Sequence, residues 1–208
     1  MTTVTLRHDA PANAGNSPQR RQWLQGTAAL GVAAAAGVAL PLVSSLAPSE
    51  RAKAMGAAVE VDTSALVPGV TKVVEWRGKP VWLLKRTPEQ LADLEKINGL
   101  ADPASVKSVQ PEYARNTHRS IKPELLVAVG ICTHLGCSPS NMVKGSNNPS
   151  VPADWPGGFF CPCHGSTFDL AGRVFLNKPA PTNLDIPPHM YTGDTTLVIG
   201  EDANGIPA

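Results

Sequence analysis

The sequence has almost no surplus of charge. Eighteen Lys and Arg stand against seventeen Asp and Glu, a net charge of +1 over 208 residues. Binding to nucleic acid by bulk electrostatics is therefore not indicated. Aromatic residues are few, at 5 %, whereas Pro 20 and Gly 18 are too many for a mainly helical chain and imply many turns. No charged residue occurs from Gln22 to Ser49. No internal repeat stands out, apart from two short similar runs that contain all four cysteines.

Those runs are Cys132-Thr133-His134-Leu135-Gly136-Cys137 and Cys161-Pro162-Cys163-His164-Gly165-Ser166. Each holds one Cys and one His at short spacing, Cys132 with His134 and Cys161 with His164. Two thiolates and two imidazoles are enough ligands for one metal centre. Cys137 and Cys163 remain, one per run, and could also meet as a disulfide if the runs face each other across a metal centre. A structural zinc site draws on the same four residue types. Zinc motifs, however, usually set like residues side by side in one loop, not one Cys and one His in each of two loops. One iron of a Rieske [2Fe–2S] cluster keeps two Cys, and the other takes two His.

Taken together the two runs resemble the cluster-binding loops of Rieske iron–sulfur proteins, of the disulfide-bearing branch found in cytochrome bc complexes. The resemblance implies one [2Fe–2S] cluster held by Cys132, His134, Cys161 and His164. It implies a Cys137–Cys163 disulfide clamping the loops, which needs an oxidising compartment such as the bacterial periplasm. Ser166 matches a hydroxyl that donates to the cluster and raises its potential. Leu135 matches an apolar shield at the tip, and Lys178-Pro179-Ala180-Pro181 a proline-rich covering loop, with Pro179 beside the cluster. His164 matches the ligand that meets the quinol, the catalytic position. Two residues depart from the family pattern. Phe168 stands where high-potential members have a Tyr donor, which implies a lower potential than theirs. Lys178 stands where the proline loop usually begins with Gly, and its cation favours the reduced form. His8, His118 and His189 have no matching partners and are read as non-ligands.

Upstream, residues 1–19 read as a disordered cytoplasmic tail. Residues 20–46 read as a signal-anchor and transmembrane helix. Twenty helical residues from Thr27 to Leu46 span ~30 Å, the hydrocarbon thickness. Arg20-Arg21 before this span fits positive-inside anchoring. Followed by Trp23-Leu24, the pair also resembles the twin-arginine signal-anchors of Rieske proteins. Cleavage near Ala47 or Ala54–Gly56 is the other option, and the resemblance favours a retained anchor. Residues 47–59 are small and read as a flexible hinge, leaving 60–208 as the head.

In the head, Thr71–Trp76 and Pro80–Leu84 read as a hairpin turning at Arg77-Gly78-Lys79. Thr87-Pro88-Glu89-Gln90 is a capping-box start for a helix ending near Asn98-Gly99. Residues 101–122 look irregular, and Glu124–Ile131 is a buried-strand run leading into Cys132. Residues 138–158 read as a loop. Strands are expected at Thr167–Asp169, Gly172–Phe175 and Thr195–Ile199. The fold class expected is mainly β, a small antiparallel Rieske-type domain with a cluster-binding subdomain and one N-terminal transmembrane helix.

The whole pattern implies the Rieske subunit of a bacterial ubiquinol–cytochrome c reductase. Such a subunit works in the inner membrane beside cytochrome b and a c-type cytochrome, in a dimeric complex, with its head in the periplasm. It takes electron and proton from ubiquinol together. The small subunit of an arsenite oxidase-like enzyme is the alternative. A ferredoxin of a ring oxygenase is disfavoured by the extra cysteines and the apolar span.

Overall fold

The computed structural model describes residues 17–47, 49, 56–146, 148–151 and 155–203. The tail up to residue 16, most of the expected hinge and Ala54-Met55 lie outside them. The chain divides into two units, Met1–Glu50 and Arg51–Ala208.

The first unit contains α1, Pro18–Ser45. Ser17 caps it by accepting from the Arg20 amide at 3.3 Å, and Pro18 starts it where no amide bond is lost. The helix thus starts two residues inside the segment read as tail. Its hydroxyls fold back on the helix: Thr27 onto Trp23 and Leu24, Ser44 onto Pro41, Ser45 onto Leu42. That leaves few unmet donors on an apolar surface. It is the one helix among the described residues long and apolar enough to cross a membrane, with mean hydropathy 1.8 in its best window.

Among the described residues, the second unit holds three antiparallel three-stranded sheets. The first is ordered β1 (Val59–Asp62), β9 (Thr196–Ile199), β8 (His189–Tyr191). The second is β2 (Thr71–Trp76), β3 (Lys79–Lys85), β4 (Leu125–Val129). The third is β5 (Ser140–Met142), β6 (Gly158–Cys161), β7 (Ser166–Phe168). Strands β3 and β4 send alternate residues into cores on both faces, which explains why β4 is buried at every position. Trp82, Leu84, Leu126 and Ala128 share a core with Phe159, Cys161 and Phe168 of the third sheet and with Cys132, which follows β4. Val81, Leu83, Leu125 and Val127 share another with Val61, Leu197 and Ile199 of the first. Trp82 and Phe159 stack at 4.8 Å, joining the middle sheet to the cluster-loop sheet.

The hairpin turns at Arg77 and Gly78, both with positive φ (52° and 70°), the type I′ geometry that suits strand twist. Helix α2, Pro88–Leu94, has the full capping box of Thr87 and Gln90. It ends earlier than expected. Arg173 takes the Leu94 carbonyl at 3.0 Å, the acceptor that the Asn98 amide would need to extend the helix. Residues 138–158 contain the edge strand β5, which is polar and has no alternation to announce it. Gly172–Phe175 is not a full strand: Val174 and Phe175 make only single bridges to Phe168 and Leu100. Strands β1, β6 and β8 were not expected from the sequence.

Candidate functional site

Strand β4 leads through Gly130-Ile131 into Cys132, and β6 ends on Cys161, so two neighbouring sheets deliver the two runs. Both runs fold alike. The Gly136 amide returns to the Cys132 carbonyl, and the Gly165 amide to the Cys161 carbonyl, each at 3.0 Å. Both glycines have positive φ (85° and 77°), which a residue with a Cβ takes only at a cost. The turn places the third and fourth residues of each run at the tip. In one run these are His134 and Leu135, in the other Cys163 and His164.

The four proposed ligands sort into two kinds. Cys132 and Cys161 are free thiols, each 2 % exposed. His134 is half-buried and His164 exposed. Their rings stand edge to face with centroids 4.7 Å apart. Among the described residues neither imidazole makes a side-chain hydrogen bond within the chain. Cys137 and Cys163 are joined as a disulfide, with Cα atoms 6.7 Å apart. The sulfurs of Cys137, Cys161 and Cys163 fall within 4.8 Å of one another, but two of them are spent in that bond. The free set is therefore two inner sulfurs and two outer imidazoles.

Burial pushes the Cys132 thiol up, and the adjacent Cys161 adds to this. The His134 amide and the Ser166 hydroxyl pull the other way. Donors aimed at a buried sulfur suit a thiolate, and a pair of buried thiolates needs a cation between them. The donor set fits an iron–sulfur cluster with Cys on the inner iron and His on the outer.

Other residues hold this set in place. The fully buried Ser166 hydroxyl accepts from the Ala180 amide at 3.0 Å, leaving its own proton for a sulfur. The Thr133 hydroxyl donates to the Thr182 carbonyl at 2.7 Å. The proline loop is thereby stitched to both runs, with Pro179 exposed and Ala180 buried. Beyond it, the buried Asn183 side chain donates to Asp102 and Ser105 and accepts from the Val174 amide. Leu135 is 71 % exposed at the tip. Phe168 lies in the core that contains Cys132 and Cys161, and it offers them no donor. Lys178 is half-buried where the proline loop begins. His189 is buried, with Nδ1 2.8 Å from the Pro187 carbonyl and far in sequence from either run. Thr133, Thr182 and Asn183 were missed in the sequence. Only Thr133 carried a signal, its place inside the first run.

Residues 58–188 match the family model described as "Rieske [2Fe-2S] domain". Residues 10–49 match the one described as "Ubiquitinol-cytochrome C reductase Fe-S subunit TAT signal". A "Ubiquinol-cytochrome c reductase iron-sulfur subunit" from Allochromatium vinosum is 53 % identical over 188 residues, covering 90 % of each chain. A protein of the same description from Rhodospirillum rubrum is 39 % identical, covering 93 % of this chain and 97 % of its own.

Proposed function

Because the chain belongs to the Rieske iron–sulfur subunits of ubiquinol–cytochrome c reductase, we propose that its head takes an electron and a proton from a quinol and passes the electron to a c-type cytochrome. The observation that carries this is the pairing of two buried thiols with two imidazoles at the exposed tip of disulfide-clamped loops. When bound, a [2Fe–2S] cluster supplies a one-electron acceptor, and its neutral His ligands raise the potential. Cys132, Cys161, His134 and His164 would hold the cluster, the thiolates on one iron and the imidazoles on the other.

The protein's own groups do the rest. His164, exposed, offers its ring nitrogen to the quinol hydroxyl and takes up the proton. Leu135 and Pro179 cover the cluster's flank with apolar surface and keep water off it. Ser166 donates toward sulfur and so favours the electron-rich form. Helix α1 anchors the subunit in the inner membrane after twin-arginine export, beside cytochrome b and the c-type cytochrome. The head works on the periplasmic side, in a dimeric complex. The N-terminal match is to the signal of reductase subunits, which sets this reading above an arsenite oxidase-like small subunit.

Purification of the full chain from membranes tests the assembly. Cytochromes b and c are expected to copurify, with quinol-dependent cytochrome c reduction that a His164→Ala variant abolishes. Copurification of a molybdenum subunit in their place would overturn the reading.

A further inference from the structure

Three buried guanidiniums converge behind the second cluster loop, on the turn from Asp169 to Arg173. Arg86 donates to the Leu170 carbonyl at 3.2 Å. Arg119 donates to the carbonyls of Ala171 and Gly172 at 3.3 and 3.4 Å. Arg173 holds the Asp169 carboxylate at 2.6 Å. Three consecutive carbonyls thus face cations contributed by distant segments.

Arg119 bears several costs at once. It is 0 % exposed, its backbone is left-handed with φ 49°, and its Nε has no acceptor among the described residues. Burial draws both Arg119 and Arg86 down to about 10, so both remain cations at neutral pH. Space is kept for Arg119 as well. A Cβ on Gly172 would meet its Nη1 at 3.3 Å and the Leu184 Cβ at 3.2 Å. A buried ionic group is often replaceable by apolar residues without loss of stability. Strain and buried charge gathered on one residue therefore point to a role beyond stability.

That role lies in where the turn leads. Strand β7 is three residues long, Ser166–Phe168. At its start Ser166 pairs with Cys161. At its end the Asp169 amide donates to the Arg173 carbonyl and the Phe175 amide to the Thr167 carbonyl. So short a ladder does not place Ser166 by itself; the turn that closes it does. Ser166 must keep its hydroxyl oxygen on the Ala180 amide, so that the hydroxyl proton stays free to face the cluster loops.

We propose that Arg119 is a positioning residue. Through the Asp169–Arg173 turn it holds the Ser166 hydroxyl in place, and so sets the cluster's reduction potential from behind the loop without touching the cluster. The proposal rests on the cluster assignment made above.

The test is an EPR-monitored redox titration of the full chain in its membrane complex. The variants are Arg119→Lys and Gln110→Met, each alone and combined with Ser166→Ala. Gln110 accepts from Arg119 Nη2 at 3.1 Å, so Gln110→Met loosens the guanidinium and leaves its charge. Both variants are expected to lower the midpoint, Arg119→Lys by more, and both shifts vanish when Ser166 is Ala. Faster hydrogen exchange at the Ala180 amide accompanies them. Unchanged midpoints with a normal EPR signal would overturn the proposal. A shift that persists in the Ser166→Ala background would also overturn it, because the effect would then be direct charge. If Arg119→Lys does not fold, the Gln110→Met pair decides alone. A wild-type protein without a Rieske signal would overturn the cluster assignment, and the proposal with it.

Discussion

Replacing Cys163 with serine is expected to strip the protein of most of its cluster. The Cys137–Cys163 bond joins residues 26 apart and ties together the two ligand runs. Closing a loop of that size contributes about 3–4 kcal/mol through the unfolded state. Stability is the smaller part of the effect. The Cys137 sulfur lies within 4.8 Å of the Cys161 sulfur, a proposed ligand. Once Cys163 is gone, Cys137 becomes a free thiol next to Cys161, and an oxidising compartment favours joining the two. The single variant should therefore hold less cluster than the double variant Cys137→Ala, Cys163→Ala, which loses the same clamp without leaving a stray thiol. EPR spin counts per protein on both variants check this. Equal and full occupancy in the two would contradict it.

Replacing Asp169 with alanine is expected to give the largest loss of stability from one substitution in the head. Asp169 is 0 % exposed, and its carboxylate receives Arg173 Nε at 2.6 Å. Its other oxygen accepts from the Ala171 and Arg173 amides at 2.8 Å each. Removing one member of a buried ion pair leaves the partner's charge uncompensated, at a cost of about 3–5 kcal/mol. Here two backbone amides lose their acceptor as well, within a turn already facing the Arg86 and Arg119 cations. Denaturant unfolding of the full chain in detergent, followed by tryptophan fluorescence, measures the loss. A change under about 1 kcal/mol, the worth of an exposed pair, would show the network to be dispensable.

Much of the head could be read from neighbours in sequence. The β2–β3 hairpin is flanked by a two-residue turn, and the α2 start is a four-residue cap. The uninterrupted apolar run of β4 marks a strand covered on both faces. What escaped depended on residues far apart. Helix α2 stops at Leu94 because a guanidinium from Arg173 claims its last carbonyl, which no local pattern shows. Strand β5 is polar and gains its regularity only from pairing with β6. The two cysteine runs were legible as a ligand set, since spacing and residue type carry the chemistry. Their supports were not. The Thr133–Thr182 bond spans 49 residues and the Asn183–Asp102 bond 81, and Arg119 reaches its turn from 52 residues away.

The central claim is that the exposed His164 and the half-buried His134 couple proton to electron uptake at this tip. Added charge on the outer iron favours protonated rings, so the midpoint must depend on pH wherever the oxidised form has lost those protons. An EPR-monitored redox titration across pH measures this directly. The account predicts a midpoint level at acid pH that falls at alkaline pH, with a slope approaching about 59 mV per pH unit for each proton coupled to the one electron. A midpoint that stays level through alkaline pH would contradict it.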